Sequence, residues 1–422
     1  MGYFPKLLLF IALSSTLFCC KKLEQNSKEI PTIDITEALE NPVDIKLSLF
    51  GNKIEYIPME LTDSSLFGMF VEGMNITDEY ITVTTRNLAT SPYCMVFNRG
   101  TGKFLNRLGH YGQDPESFKN PNPVYDKYKN QFVFSGFSDK LIAFDPDDKF
   151  SHFISIPVNE RNINTFIFKD HDLILYDGGN YGSITDNHIY RISNDGKILD
   201  SLCISQTDLY DEIKPENIKN SIILLDPHSH LPGDVGIKTL DNGKSIFTFH
   251  HFKWLWSYKN NIRFYRALND TIYNYTDDKL LPEYSVVAGY KNKSSDLNSE
   301  EFMKRSFLLS RGIFENSESI VFLGDIGIEN TEGYFVAKYD KNTGKTIAGR
   351  MENRNIENDI DGFAPIPISY MTENGCYAGF LTVDDIFEWI ENNPDYKFPQ
   401  NLTWLKDISE DSNPVLVIIS SN

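Results

Sequence analysis

Short apolar runs, each closed by a polar turn, recur along this chain. The unit is an alternating strand ending in Phe or Tyr, a turn containing Asp or Gly, a lysine, and a second apolar strand. It runs as Val96-Phe97 … Gly102-Lys103-Phe104 and as Ala143-Phe144-Asp145-Pro146-Asp147-Asp148-Lys149-Phe150. It returns as Ile189-Tyr190 … Asp195-Gly196-Lys197-Ile198, as Ile272-Tyr273 … Asp278-Lys279-Leu280, and as Tyr339-Asp340 … Gly344-Lys345-Thr346-Ile347. The turn lysines stand 46, 48, 82 and 66 residues apart. The first two intervals match a four-stranded propeller blade, and the longer two leave room for insertions. Asp and Gly suit these turns because they tolerate positive φ.

A further apolar run precedes each unit, at 80–83, 131–134, 173–176, 245–249 and 319–323, and a sixth begins at Gly375-Cys376-Tyr377-Ala378-Gly379-Phe380. Runs this rich in Val, Ile, Phe and Tyr fit strands buried on both faces. The pattern predicts an all-β fold over 32–422, a six-bladed β-propeller of four-stranded antiparallel blades. The stretches 53–59 and 415–419 lack local partners, and placing both in the sixth blade closes the ring and removes unpaired edges. Three stretches read as short helical insertions. These are 208–222, with Leu209, Ile213, Ile218 and Ile222; 298–311, capped by Ser299 with a stripe of Phe302, Met303, Phe307 and Leu308; and 384–393, capped by Asp384 and stopped by Pro394.

Residues 1–19 have the layout of an export leader, with Lys6, an apolar core from Leu7 to Leu13, then Ser14, Ser15 and Thr16. The ending Leu17-Phe18-Cys19-Cys20 resembles a bacterial lipoprotein signal, which implies acylation of Cys20. Residues 20–31 then form a polar tether. The expected location is the outer membrane of a bacterial envelope, held by lipid. The periplasmic face is favoured because no acidic cluster follows the cysteine. Beyond Cys19 and Cys20 only Cys94, Cys203 and Cys376 remain, too few and too scattered for a disulfide framework or a zinc site.

The net charge of −19 argues against sequence-independent nucleic-acid binding, which needs a basic face. Candidate chemistry is sparse. His228-Ser229-His230 and His250-His251 lack a third ligand at a metal-site spacing, so no metal and no cofactor are expected. Asp145-Pro146-Asp147-Asp148 lacks the Gly and distal Glu of a calcium loop and reads as a hairpin turn. The run 249–258 is the most aromatic in the chain, and His250, His251, Trp254 and Trp256 are the candidate ligand-binding residues. Extended, the two tryptophans share one face, either as a sugar-stacking platform or as the buried face of a blade.

Several segments together resemble a known family. They are Ile57-Pro58-Met59-Glu60-Leu61, Gly102-Lys103-Phe104-Leu105, the G-x-x-G-Q-x-P-E stretch from Gly109 to Glu116, and Asp411-Ser412-Asn413-Pro414-Val415. This pattern is similar to the six-bladed β-propeller lipoproteins of Bacteroidetes, which are distantly NHL-like and largely of unknown function. The resemblance implies the fold and the anchor but carries over no catalytic residue. Asp114 stands where the family has Gly. The functional expectation is a binding or scaffold module whose partner is a glycan or an envelope protein. The alternative is a polysaccharide lyase or hydrolase with its site at the channel mouth.

Overall fold

Six antiparallel sheets succeed one another in the computed structural model. It describes residues 30–421 except 89, 138–139, 157–164, 177–186, 205–217, 225–233, 242–244, 251–254, 266–269, 277–278, 290–306, 327–332 and 352–353. Blade one is Phe70–Ile76, Tyr80–Arg86, Tyr93–Asn98 and Phe104–Leu108, each strand bonded to the next. Blade two is Phe118–Asp126, Gln131–Gly136, Lys140–Phe144 and Phe150–Ser155; blade three is Thr165–Lys169, Asp172–Tyr176, Asn187–Ile192 and Ile198–Ile204. Blade four is Leu255–Tyr258, Asn261–Tyr265, Thr271–Thr276 and Lys279–Val287, and blade five is Phe307–Glu315, Ser319–Ile326, Gly333–Asp340 and Lys345–Met351. Blade six takes Tyr370–Met371, Tyr377–Leu381 and Val415–Ser420 from the end of the chain and Lys53–Pro58 from its beginning. The innermost strands of blades six, one, two, three and four lie side by side in that order. The chain is a six-bladed propeller, as the repeat predicts.

The closing blade pairs the two ends in register, Lys53 with Ser420 through Pro58 with Val415. Val415, Leu416, Val417 and Ile419 are fully buried, so the last strand is a core strand and not a frayed terminus.

Four expectations need correction. The run 245–249 is not a strand of blade four. It lies in Ser245–His250, which pairs with Asp234–Leu240, itself paired with Ile218–Leu224 in an extra three-stranded sheet between blades three and four. The role assigned to it belongs to Asn261–Tyr265, which carries Arg263 in its middle. The helix expected over 208–222 is replaced at its end by the strand Ile218–Leu224, and 208–217 lie outside the described residues. The helix expected over 298–311 likewise gives way at Phe307 to the strand Phe307–Glu315, with 298–306 outside the described residues. β-branched and aromatic residues at both sites prefer the pleated surface once a neighbouring strand is present. The third helix forms as Val383–Asn392, but Thr382 caps it in a reciprocal capping box with Asp385. Its Ile386 is fully buried, and Trp389 packs 4.8 Å from Phe363 (ring centroids).

The first described residues form a strap. Thr32–Asp34 adds a fifth, parallel strand to the outer edge of blade four, opposite Ser285, Val286 and Val287. Asp34 then accepts from the Glu37 backbone N–H at 2.8 Å and caps the helix Ile35–Glu40, which lies against the outer strand of blade five. The chain crosses that blade, with the Val43 N–H on the Ala348 carbonyl at 2.9 Å. It is latched onward by Lys46 to Glu357 at 2.9 Å and by Ser48 to Asp359 at 2.6 Å, before entering blade six. Ile33, Ile35, Leu39, Leu47 and Phe50 are at most 3% exposed. At about 1.5–3 kcal/mol each, their burial contributes on the order of 10 kcal/mol before ordering costs.

Turn length separates the two ends of the blades. Every first-to-second and third-to-fourth turn has five residues or fewer. The connections from second to third strand, and from the fourth strand of one blade to the first of the next, therefore leave from the other end, among them 59–69, 109–117 and 382–414. The tight turns also fasten one blade to the next. Gly102 has φ +66°, and a Cβ there would lie 2.1 Å from the Pro58 carbonyl oxygen at the end of the previous outer strand. Only glycine meets both demands.

Candidate functional site

Of the residues singled out by sequence, the structure describes the Trp256 side chain and the His250 backbone. Cys20, His251 and Trp254 lie outside the described residues. The backbone of His250 ends the last strand of the extra sheet, opposite Asp234, and its side chain is likewise outside. Trp256 sits on the innermost strand of blade four, opposite Arg263. It is half-buried, and its indole N–H donates to Glu315 at 2.8 Å. Among the described residues no three His, Cys, Asp or Glu side chains are placed to hold a metal ion.

Trp256 belongs to a charge cluster in the seam between blades four and five. The Glu315 side chain is fully buried and accepts from Trp256, from Lys341 Nζ at 2.8 Å, and from Arg263 Nε at 3.1 Å and Nη2 at 3.3 Å. Arg263 Nη2 also reaches Glu283 at 3.2 Å, and Lys341 Nζ lies 3.7 Å from the centroid of the Tyr258 ring. Burial works against the Arg263 charge, but Glu315 and Glu283 outweigh it and raise the guanidinium's pKa further. Two cations and two carboxylates neutralise one another, so a buried charge group becomes a fastener between blades. The sequence concealed it, since an arginine inside an apolar run reads as exposed.

The end of the ring that carries the long connections presents a different surface. On it Leu66, Met69 and Leu88 are 53%, 59% and 74% exposed. They come from two connections that meet over blade one, and the loops are fixed in place. The Gly68 N–H donates to Thr85 Oγ1 and the Met69 N–H to Asn87 Oδ1, both at 2.9 Å. The Tyr93 hydroxyl donates to the Leu66 carbonyl at 2.7 Å. Between the exposed side chains Phe67 turns inward, 5.6 Å from Phe380 and 6.0 Å from Phe97 (ring centroids). Arg86, paired with Glu72, and Arg107, stacked 4.4 Å over Tyr93, form the rim. These hydrogen bonds hold the apolar tips of Leu66 and Met69 in water.

Asn413 anchors this loop to the closing blade. It is 2% exposed; its amide donates to the carbonyls of Glu60 (2.9 Å) and Ser65 (2.7 Å), and its Oδ1 accepts from the Phe67 N–H (3.0 Å). The Asn-Pro-Val ending thus acts as an internal brace. The Gly109–Phe118 crossing is braced in a comparable way. Gly109, at φ +59°, donates its N–H to Asp148, and Asp114 Oδ2 lies 2.6 Å from His110 Nε2. That bond holds the Asp114 carboxyl below its ordinary range. Asp114 is therefore a working part of the crossing.

The sequence matches a family defined over residues 30–420, nearly the whole propeller. The chain belongs to the family described as domain of unknown function DUF4934. Among solved structures, this DUF4934 chain is similar to a candidate exported protein of Bacteroides fragilis NCTC 9343 (TM-score 0.60, 15% identity), over 90% of this chain and 98% of that one. It is also similar to a DUF4221 family member from Bacteroides vulgatus (TM-score 0.42, 9% identity), over 87% and 96% of the two chains. At such identities the first likeness shows a common fold and the second carries no further argument. No curated protein matches the DUF4934 sequence.

Proposed function

We propose that this DUF4934 protein is a lipid-anchored propeller of the bacterial envelope that works as a binding or scaffold module. The carrying observation is the contrast between the two ends of the ring. One end is closed by tight turns, whereas the other holds Leu66, Met69 and Leu88 out of the core on loops fixed by hydrogen bonds. Such surfaces on a rigid frame suit recognition. The described charges that do gather, around Glu315, are bound to one another and not presented to a substrate. The leader and Cys20 support export and acylation, and the similar exported Bacteroides protein supports an envelope location. A glycan or an envelope protein is the proposed ligand class.

Two measurements test this. Metabolic labelling with a palmitate analogue should mark the wild-type chain and not Cys20→Ala; labelling of both moves the acylation off Cys20, and labelling of neither removes the anchor. A thermal-shift screen of envelope glycans and proteins on the chain lacking residues 1–20 should find a ligand that raises the melting temperature. That shift should be lost in Met69→Asp/Leu88→Asp. A shift that survives this double variant moves the site elsewhere on the ring.

A further inference from the structure

The strap behaves like a bound peptide, and this carries an inference separate from the ligand of the loop end. Its first half, residues 31–40, makes its contacts with parts of the chain far away in sequence. The Ser285 N–H donates to the Pro31 carbonyl at 2.9 Å, and the Gly289 N–H donates to Thr36 Oγ1 at 2.7 Å. Thr32, Ile33 and Asp34 run parallel to Ser285, Val286 and Val287. Ile33, Ile35 and Leu39 enter a groove whose walls include Tyr284 and Val286 of blade four and Tyr339 and Ala348 of blade five. All three side chains are at most 2% exposed. The segment is a full recognition element, with an extended stretch, a self-capped helical turn and three aliphatic anchors on one side. The residues that follow it, Asn41 to Asp44, are exposed, and Val43 touches the seat through its backbone N–H on the Ala348 carbonyl at 2.9 Å.

We propose that residues 31–40 are a separable clasp, an intramolecular peptide ligand for the groove over the seam of blades four and five. That groove binds the same segment in trans. Its ligand class is a short peptide, extended and then helical, with branched aliphatic residues at the spacing of Ile33, Ile35 and Leu39 and a capping acid at the position of Asp34. The clasp bridges the seam from outside, where the Glu315 cluster bridges it from within.

The test uses the full chain with a specific protease site inserted within 40–44. After cleavage the N-terminal piece should co-elute with the propeller in gel filtration. A fluorescent peptide of residues 30–44 should then exchange into the cleaved protein saturably. The Ile35→Asp peptide should bind at least about tenfold more weakly, since one buried aliphatic anchor is lost. Three results would overturn the proposal. In the first, the piece separates on cleavage with no change in melting temperature. In the second, the wild-type and Ile35→Asp peptides bind alike. In the third, cleavage unfolds the protein and excess peptide does not restore it.

Discussion

Replacing Asn413 with alanine tests how the ring holds its closing loop. The side chain is 2% exposed and serves three backbone groups, the carbonyls of Glu60 and Ser65 and the N–H of Phe67. Each hydrogen bond contributes roughly 0.5–1.5 kcal/mol net, and each group left buried without a partner costs more. Alanine should therefore cost about 2–4 kcal/mol, a fall of several degrees in melting temperature for a domain of this size. Aspartate sharpens the test. It keeps an acceptor for Phe67 but turns a carboxylate oxygen toward two carbonyls, so Asn413→Asp should be worse than Asn413→Ala despite being nearly isosteric. Unfolding in urea followed by tryptophan fluorescence gives both values. An alanine variant within about 0.5 kcal/mol of wild type, or an aspartate variant milder than alanine, would refute the reasoning.

Other outcomes follow from the same contacts. Glu315→Ala strands Arg263 and Lys341 in the seam between blades four and five and should cost about 3–5 kcal/mol in unfolding experiments. Gly102→Ala places a side chain at positive φ, at roughly 1–2 kcal/mol, and pushes a methyl onto the Pro58 carbonyl, so its penalty should exceed that figure in the same assay. Burial raises the Glu373 carboxyl above its ordinary range. The folded protein thus favours its protonated form, and the contribution to stability is lost as pH rises through the folded-state pKa. Glu373→Gln should accordingly be more stable than wild type at neutral pH, and the gap should close once both states protonate in acid. Cys203 is exposed whereas Cys94 is buried with its thiol pushed up to about 12. A thiol reagent at pH 7 should modify Cys203 in the native state and reach Cys94 only on unfolding.

Most blades were legible because two local signals coincide in them, an apolar run buried on both faces and a turn that needs Asp or Gly. Blade four misled on one residue. Arg263 makes Asn261–Tyr265 look like a surface strand, and nothing local shows that Glu315, some fifty positions on, neutralises it. The run 245–249 has stronger β character and took its place in the reading. The strap escaped for a different reason. Thr32–Asp34 and Ile35–Glu40 are short, and their order comes from partners about 250 residues away. The apolar tips hid in plain composition, for Leu66-Phe67-Gly68-Met69-Phe70 reads as one apolar run. Only the closed ring separates Phe67, which enters the core, from Leu66 and Met69, which stay in water.

The most direct measurement is a cysteine pair, Lys53→Cys with Ser420→Cys, in a chain whose exposed Cys203 is changed to serine. These two positions face each other across the closing strands of blade six. Mild oxidation should give a monomer with an intramolecular disulfide, faster on a non-reducing gel and higher in melting temperature. If the pair forms only intermolecular bridges, or stays reduced while the protein remains folded, the two ends of the chain do not share a blade and the closed six-bladed ring is contradicted.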